Sequence, residues 1–202
     1  MSTPAPADET MRGAIARNPV VQTLALMVLV SAMAWIGMVV GYTRLFVLAT
    51  PLSERPWGLV TSVYAHLGPG HLLANAVIIA IAGGIAALST STLRFHLFFL
   101  TTGVLAGVVQ VLVFHLQGTA IAVLGASGAA FALVGYVLTS NVVSQLVAGW
   151  LGVSFRIAVV VFAIAAAWLT IEWSAPGSAL LAHFTGAALG LIAGHFRVLH
   201  TS

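Results

Sequence analysis

One serine in this sequence is set apart by its neighbours. In Gly125-Ala126-Ser127-Gly128, two small residues precede the hydroxyl, a glycine follows it, and the apolar run Ala129 to Val147 begins at once. A hydroxyl placed there lies near a helix N-terminus, where backbone N–H groups lack partners and the helix dipole favours negative charge. Two chemistries fit. The commoner is an N-cap. The other is a nucleophile whose own N–H helps to hold an oxyanion. The spacing differs from the G-x-S-x-G elbow of soluble hydrolases, because position 129 is alanine. A nucleophile needs a base, and a neutral imidazole such as that of His183 takes a serine proton when it is within reach. No acid stands ready to complete a triad. Asp8 and Glu9 lie near the N-terminus, Glu54 lies in a loop, and Glu172 closes another apolar run, a distant neighbour at most. The simpler reading is a Ser-His pair whose histidine is oriented by packing.

These residues sit in a chain that belongs in a membrane. Its 202 residues are 60% hydrophobic and only 5% charged, too few charges to cover a soluble surface of that size. The composition points to an all-α polytopic membrane protein. The seven cations are all arginine and are scattered singly, so nucleic acid is not an expected partner. With no cysteine, disulfides, thiolate metal sites and cysteine nucleophiles are excluded together.

Residues 1–19 read as a short disordered tail on the cytoplasmic side, and 20–199 as one six-helix domain. The spans fall at about 20–40, 72–88, 95–116, 127–147, 157–173 and 179–199, each close to what ~30 Å of hydrocarbon requires. The first apolar run is long for a signal peptide and reads as a retained helix. The loop from Gly41 to Gly70 is partly apolar and reads as structured at the interface. Arg12, Arg17, Arg94, Arg156 and Arg197 share one side of this topology, against Arg44 and Arg55 on the other, which puts both termini in the cytoplasm.

On this topology His71, Asn75, Ser127 and His183 all lie at similar shallow depth below the outer surface, on spans two, four and six. Polar groups at such depth are costly and face partners in the bundle interior. His71 and Asn75 are four residues apart and share a helix face. The sixth span carries Ala182, Gly186, Gly190 and Gly194 at four-residue spacing, and the fourth carries Gly128 and Gly135. Such small-residue stripes let helix backbones approach closely, which would bring His183 to Ser127. A glycine zipper around a buried, hydrogen-bonded histidine accounts for the same stripes equally well.

The motifs, taken in order, resemble the rhomboid intramembrane serine proteases. They are Arg55-Pro56-Trp57-Gly58-Leu59-Val60-Thr61-Ser62, Tyr64-Ala65-His66, His71-Leu72-Leu73-Ala74-Asn75, Gly125-Ala126-Ser127-Gly128 and Ala182-His183-Phe184-Thr185-Gly186. The resemblance implies a six-transmembrane-helix rhomboid-like bundle. It makes Ser127 the nucleophile, His183 the general base, and His71 and Asn75 the supports of the oxyanion. It gives supporting places to Gly125, Gly128, Phe131, Gly186 and His66, the last bracing the loop before the second span. Two positions depart from the family pattern. Phe131 stands where a tyrosine is usual, and Thr43-Arg44 stands near the place of a Trp-Arg pair.

The expected activity is that of an intramembrane endopeptidase in the cell membrane. It would act on single-span transmembrane substrates among lipid, with no cofactor and no metal. An inactive relative that captures transmembrane helices is the competing reading, and a small transporter the third. The spans lack the buried charges that the third would need.

Overall fold

The structure, a computed structural model, describes residues 13, 15–140, 157, 161, 164 and 179–201. Residues 141–147 of the expected fourth span lie outside the described residues, as does the expected fifth span at 157–173 save for three positions.

Residues 13 and 15–17, expected in a disordered tail, are helical. The first long helix, α1 (Pro19–Val39), starts where the sequence places a cap. The Asn18 side chain accepts from the N–H groups of Val20 and Val21, and Pro19 fills the first helical position, where its missing N–H costs nothing. The loop that follows is ordered. It holds 3-10 turns at Thr43–Leu45 and Leu52–Glu54, the strand β1 (Leu48–Ala49) and the short helix α2 (Gly58–Tyr64). The second long helix, α3 (Pro69–Ala87), contains a π-helical turn at Ile79–Gly83. Then come α4 (Thr92–Leu116), the strand β2 (Ala122–Val123), α5 (Ser127–Ser140) and α6 (Leu180–His195). Helices α1, α3 and α4 are long and apolar enough to cross a membrane; α5 and α6 are shorter apolar helices.

Several expected boundaries shift, for local reasons. The second span begins at Pro69 rather than 72, because extended Gly68 and the proline start the helix earlier, so His71 stands within its first turn. The third begins at Thr92 rather than 95, because the Ser91 hydroxyl accepts from the Arg94 N–H as an N-cap. The sixth stops at His195 rather than 199. Arg197 adopts φ 52, and its N–H and that of Val198 fold back onto the Gly194 and Ala193 carbonyls. The all-α expectation is amended by one short ladder. β1 and β2 pair antiparallel, with Leu48 opposite Val123 and Ala49 opposite Ala122, and this ladder clips the first loop to the segment that leads into Ser127.

The core is built around α5. From Gly128 to Tyr136 every residue is buried, whereas α1, α3 and α4 present Val28, Ile36, Ile81, Ile85, Leu97 and Leu105 outward, as helices facing lipid do. Helix α6 lies against α5 at backbone contact. A Cβ on Gly186 would land on the Gly128 carbonyl oxygen, one on Gly190 on the Ala132 oxygen, and one on Gly194 on the Tyr136 oxygen and Thr139 Oγ1. From the other helix, a Cβ on Gly135 would come within 2.5 Å of the Ala187 oxygen. The four-residue stripe Gly186-Gly190-Gly194 of α6 therefore lies in register against Gly128, Ala132 and Tyr136 of α5.

Candidate active site

Ser127 is the first residue of α5, and the first helical bond runs from the Ala130 N–H to the Ala126 oxygen at 2.9 Å. Ser127 is thus inside the helix rather than capping it. Its side chain is free for another partner, and Oγ meets His183 Nε2 at 2.8 Å. His183 belongs to the first turn of α6 and is 6% exposed. Phe131, one turn along α5 from the serine, stacks on the imidazole with ring centroids 4.5 Å apart and planes 11° from parallel. The stack fixes the plane of the ring. With its proton on Nδ1, His183 accepts from the Ser127 hydroxyl, the arrangement a general base requires.

The turn before the serine is held by two of its backbone N–H groups. Gly125 takes φ +129, a region that side chains strain to enter, and a Cβ there would stand 2.7 Å from His71 Cε1. The Gly125 N–H donates to the Ser62 oxygen at 2.8 Å. The next N–H, of Ala126, donates to His66 Nε2 at 3.4 Å. His66 is held on its other side. Its Nδ1 lies 3.1 Å from the Tyr64 oxygen and 3.0 Å from Ser31 Oγ, and its own carbonyl accepts from Trp35 Nε1 at 2.7 Å. A carbonyl only accepts, so the His66 proton sits on Nδ1 and Nε2 is left bare to accept from Ala126. Burial, with a smaller contribution from neighbouring His71, pushes the His66 imidazole down to about 4, so the ring stays neutral and keeps that lone pair.

His71 is brought to this turn: its ring faces the Gly125 Cα and meets the His66 ring edge-on at 5.0 Å. Asn75 is buried one turn further along α3, and one of its two amide hydrogens goes to the His71 oxygen at 2.9 Å. A small cavity of about 30 Å³ opens beside the serine, lined among others by Gly103, Gly107, Gly125, Ser127, Gly128 and Ala182. Gly128 belongs to the same seam, because a Cβ on it would lie 2.6 Å from that of Ala106. Among the described residues no cluster of His, Asp or Glu is arranged to hold a metal ion.

A half-buried serine hydroxyl on a buried imidazole is nucleophile-and-base geometry. The sequence model of the rhomboid domain matches residues 53–199, well over half of the chain. The chain belongs to the rhomboid family. No match is found in a search of the curated proteins.

Four residues of this rhomboid to which the sequence assigned no role take part in the site. Ser31 and Trp35 reach from α1 to hold His66, Ser62 lends its carbonyl to Gly125, and Gln110 Oε1 on α4 accepts from the Ala182 N–H at 3.0 Å. Two of them carried a signal. Ser31 and Gln110 are polar residues inside apolar spans, where a polar side chain turns inward to a partner.

Proposed function

We propose that this rhomboid is an intramembrane serine endopeptidase working through a Ser127–His183 pair. The observation that carries the reading is the 2.8 Å contact between Ser127 Oγ and His183 Nε2, with the Phe131 ring stacked on that imidazole. In the reaction, the Ser127 oxygen attacks the scissile carbonyl carbon while its proton passes to His183 Nε2. The carbonyl oxygen becomes an oxyanion and is met by the Ser127 N–H, His71 and the second amide hydrogen of Asn75. The intermediate collapses, the C–N bond breaks, and His183 gives its proton to the leaving amine. Water, deprotonated by the same imidazole, then releases the acyl chain from Ser127.

His71→Ala and Asn75→Ala should lower kcat by about 10²–10³ each with KM little changed, because their donors serve a charge present only in the transition state. Steady-state kinetics on a transmembrane substrate checks this. A raised KM at constant kcat would make them binding groups instead.

The bundle has six spans, with both termini cytoplasmic and Ser127 near the outer face. A reporter fused after Ser202 then reads cytoplasmic, and one within 117–125 reads external. The reverse pattern would overturn the orientation.

The substrate follows from the depth of the serine. Every carbonyl of a regular transmembrane helix is engaged in the i→i−4 ladder, so the scissile segment must unwind first. Gly or Pro near the cut makes that easier. The small glycine-lined cavity beside Ser127 favours Ala, Gly or Ser just before the scissile bond. Mass spectrometry of products from a single-span substrate should place the cut in its outer part, and replacing its Gly and Pro by Leu should slow cleavage. Equal rates for the all-Leu version, or a cut at mid-membrane, would sink this account of substrate choice.

A further inference from the structure

Helix α6 starts without a cap of its own. Ala179 precedes it and offers no side-chain acceptor, and the first intrahelical bond is that from the His183 N–H to the Ala179 oxygen. The N–H groups of Leu180, Leu181 and Ala182 therefore have no partner within the helix. In an apolar bundle a bare N–H is expensive, because no water is at hand to replace the missing bond. The Ala182 N–H is met from another helix. Gln110 of α4, only 5% exposed, places Oε1 3.0 Å from it. Gln110 is the only Asn or Gln side chain within α4, and it lies on the face that meets the site. Gly103 and Ala106, seven and four residues earlier, pack against Ala129 and Gly128 next to the serine. The residue after Ala182 is His183.

We propose that Gln110 is a positioning residue: it caps α6 from α4 and thereby fixes the first turn of α6, which carries His183, at hydrogen-bonding distance from Ser127. The role rests on the protease reading for its effect on rate, though the cap itself does not. Two helices of the site, α5 and α6, are already tied by backbone contact along their glycine stripes. That contact supplies no acceptor for the Ala182 N–H in the first turn of α6. Gln110 supplies it. A near-isosteric side chain without an acceptor should therefore loosen the histidine while the apolar packing persists.

The experiment compares wild type, Gln110→Met, Gln110→Asn and Gln110→Glu in the full-length, detergent-solubilised protein. Methionine keeps length without an acceptor, asparagine keeps the amide but falls short by one methylene, and glutamate keeps an acceptor at the same reach. Hydrogen exchange of the Leu181–Phe184 segment reads the cap without any need for activity. Cleavage kinetics on a transmembrane substrate reads the positioning. We expect Met and Asn to speed exchange in this segment and to lower kcat about 10–100-fold with KM within twofold, the size of effect that an ångström of misplacement produces. Glu should restore both. Unchanged exchange in both Met and Asn would overturn the cap. Faster exchange with wild-type kcat would overturn the positioning role. If the wild type itself cleaves nothing, the protease reading fails, and with it the claim on rate, while exchange still decides whether Gln110 caps α6. Should Met fail to fold, Asn carries the same comparison.

Discussion

Purified Ser127→Ala and His183→Ala proteins should each lose turnover of a transmembrane substrate, by on the order of 10⁶-fold in kcat, and the double variant should be scarcely worse. The two side chains share one proton, so removing either removes the unit. The fold should survive in both. α5 takes its first helical bond at the Ala126 oxygen, not at the serine hydroxyl, so Ser127→Ala leaves the entry to that helix intact. His183→Ala loses the ring stacked on Phe131 and should be less stable by about 0.5–1.5 kcal/mol from that contact, in addition to the cavity it leaves. Thermal melts in detergent test the fold, and a cleavage assay tests the rate. A fluorophosphonate probe should label the wild type at Ser127 and neither variant. Residual proteolysis in Ser127→Ala at the wild-type rate would remove the nucleophile assignment. A folded wild type that neither labels nor cleaves would instead be a relative that binds transmembrane helices without cutting them.

Much of this site was legible before any coordinates, for a physical reason. Membrane spans are read from local hydrophobicity, and polar or glycine residues within them stand out because hydrocarbon tolerates few of either without purpose. Hence the Gly186-Gly190-Gly194 stripe and Gly128 with Gly135 predicted the close approach of two helices, and with it the meeting of Ser127 and His183. The ladder between Leu48–Ala49 and Ala122–Val123 was not legible, since two residues of strand carry no periodicity and their partners lie more than 70 positions apart. The bonds from Ala126 to His66 and from Ala182 to Gln110 were hidden for a related reason. In each a side chain meets a backbone N–H, and every non-proline residue has one, so nothing in the sequence marks the recipient. Ser127 also illustrates the limit of local rules. Its neighbours suit an N-cap, and only the position of the Ala126 carbonyl in the folded chain moves it one step into the helix.

The second large effect comes from a single methyl group. Gly186→Ala should abolish most of the activity, about 10²-fold or more in kcat, although alanine is the better helix former. The added Cβ would fall on the carbonyl oxygen of Gly128, the residue after Ser127. That oxygen is backbone in a buried helix, so it cannot swing aside as the end of a side chain would. The helices must separate, and overpacking of this kind costs typically 1–3 kcal/mol. His183 lies three residues before Gly186 on the same face of α6, so the separation is felt directly at its 2.8 Å contact with Ser127. Gly190→Ala meets the Ala132 oxygen and Gly194→Ala the Tyr136 oxygen, one and two turns further from the site. The three variants should therefore lower the melting temperature alike, while the loss of kcat declines from Gly186 to Gly190 to Gly194. Gly84→Ala is the control: it lies in helix α3 with nothing within 4 Å of its added Cβ, and should be neutral or gain up to about 1 kcal/mol. Parallel melts and kinetics on the four proteins decide the matter. If Gly186→Ala destabilised the protein but cut substrate at the wild-type rate, the backbone contact between α5 and α6 would be packing alone, and the distance between nucleophile and base would be set by something other than these glycines.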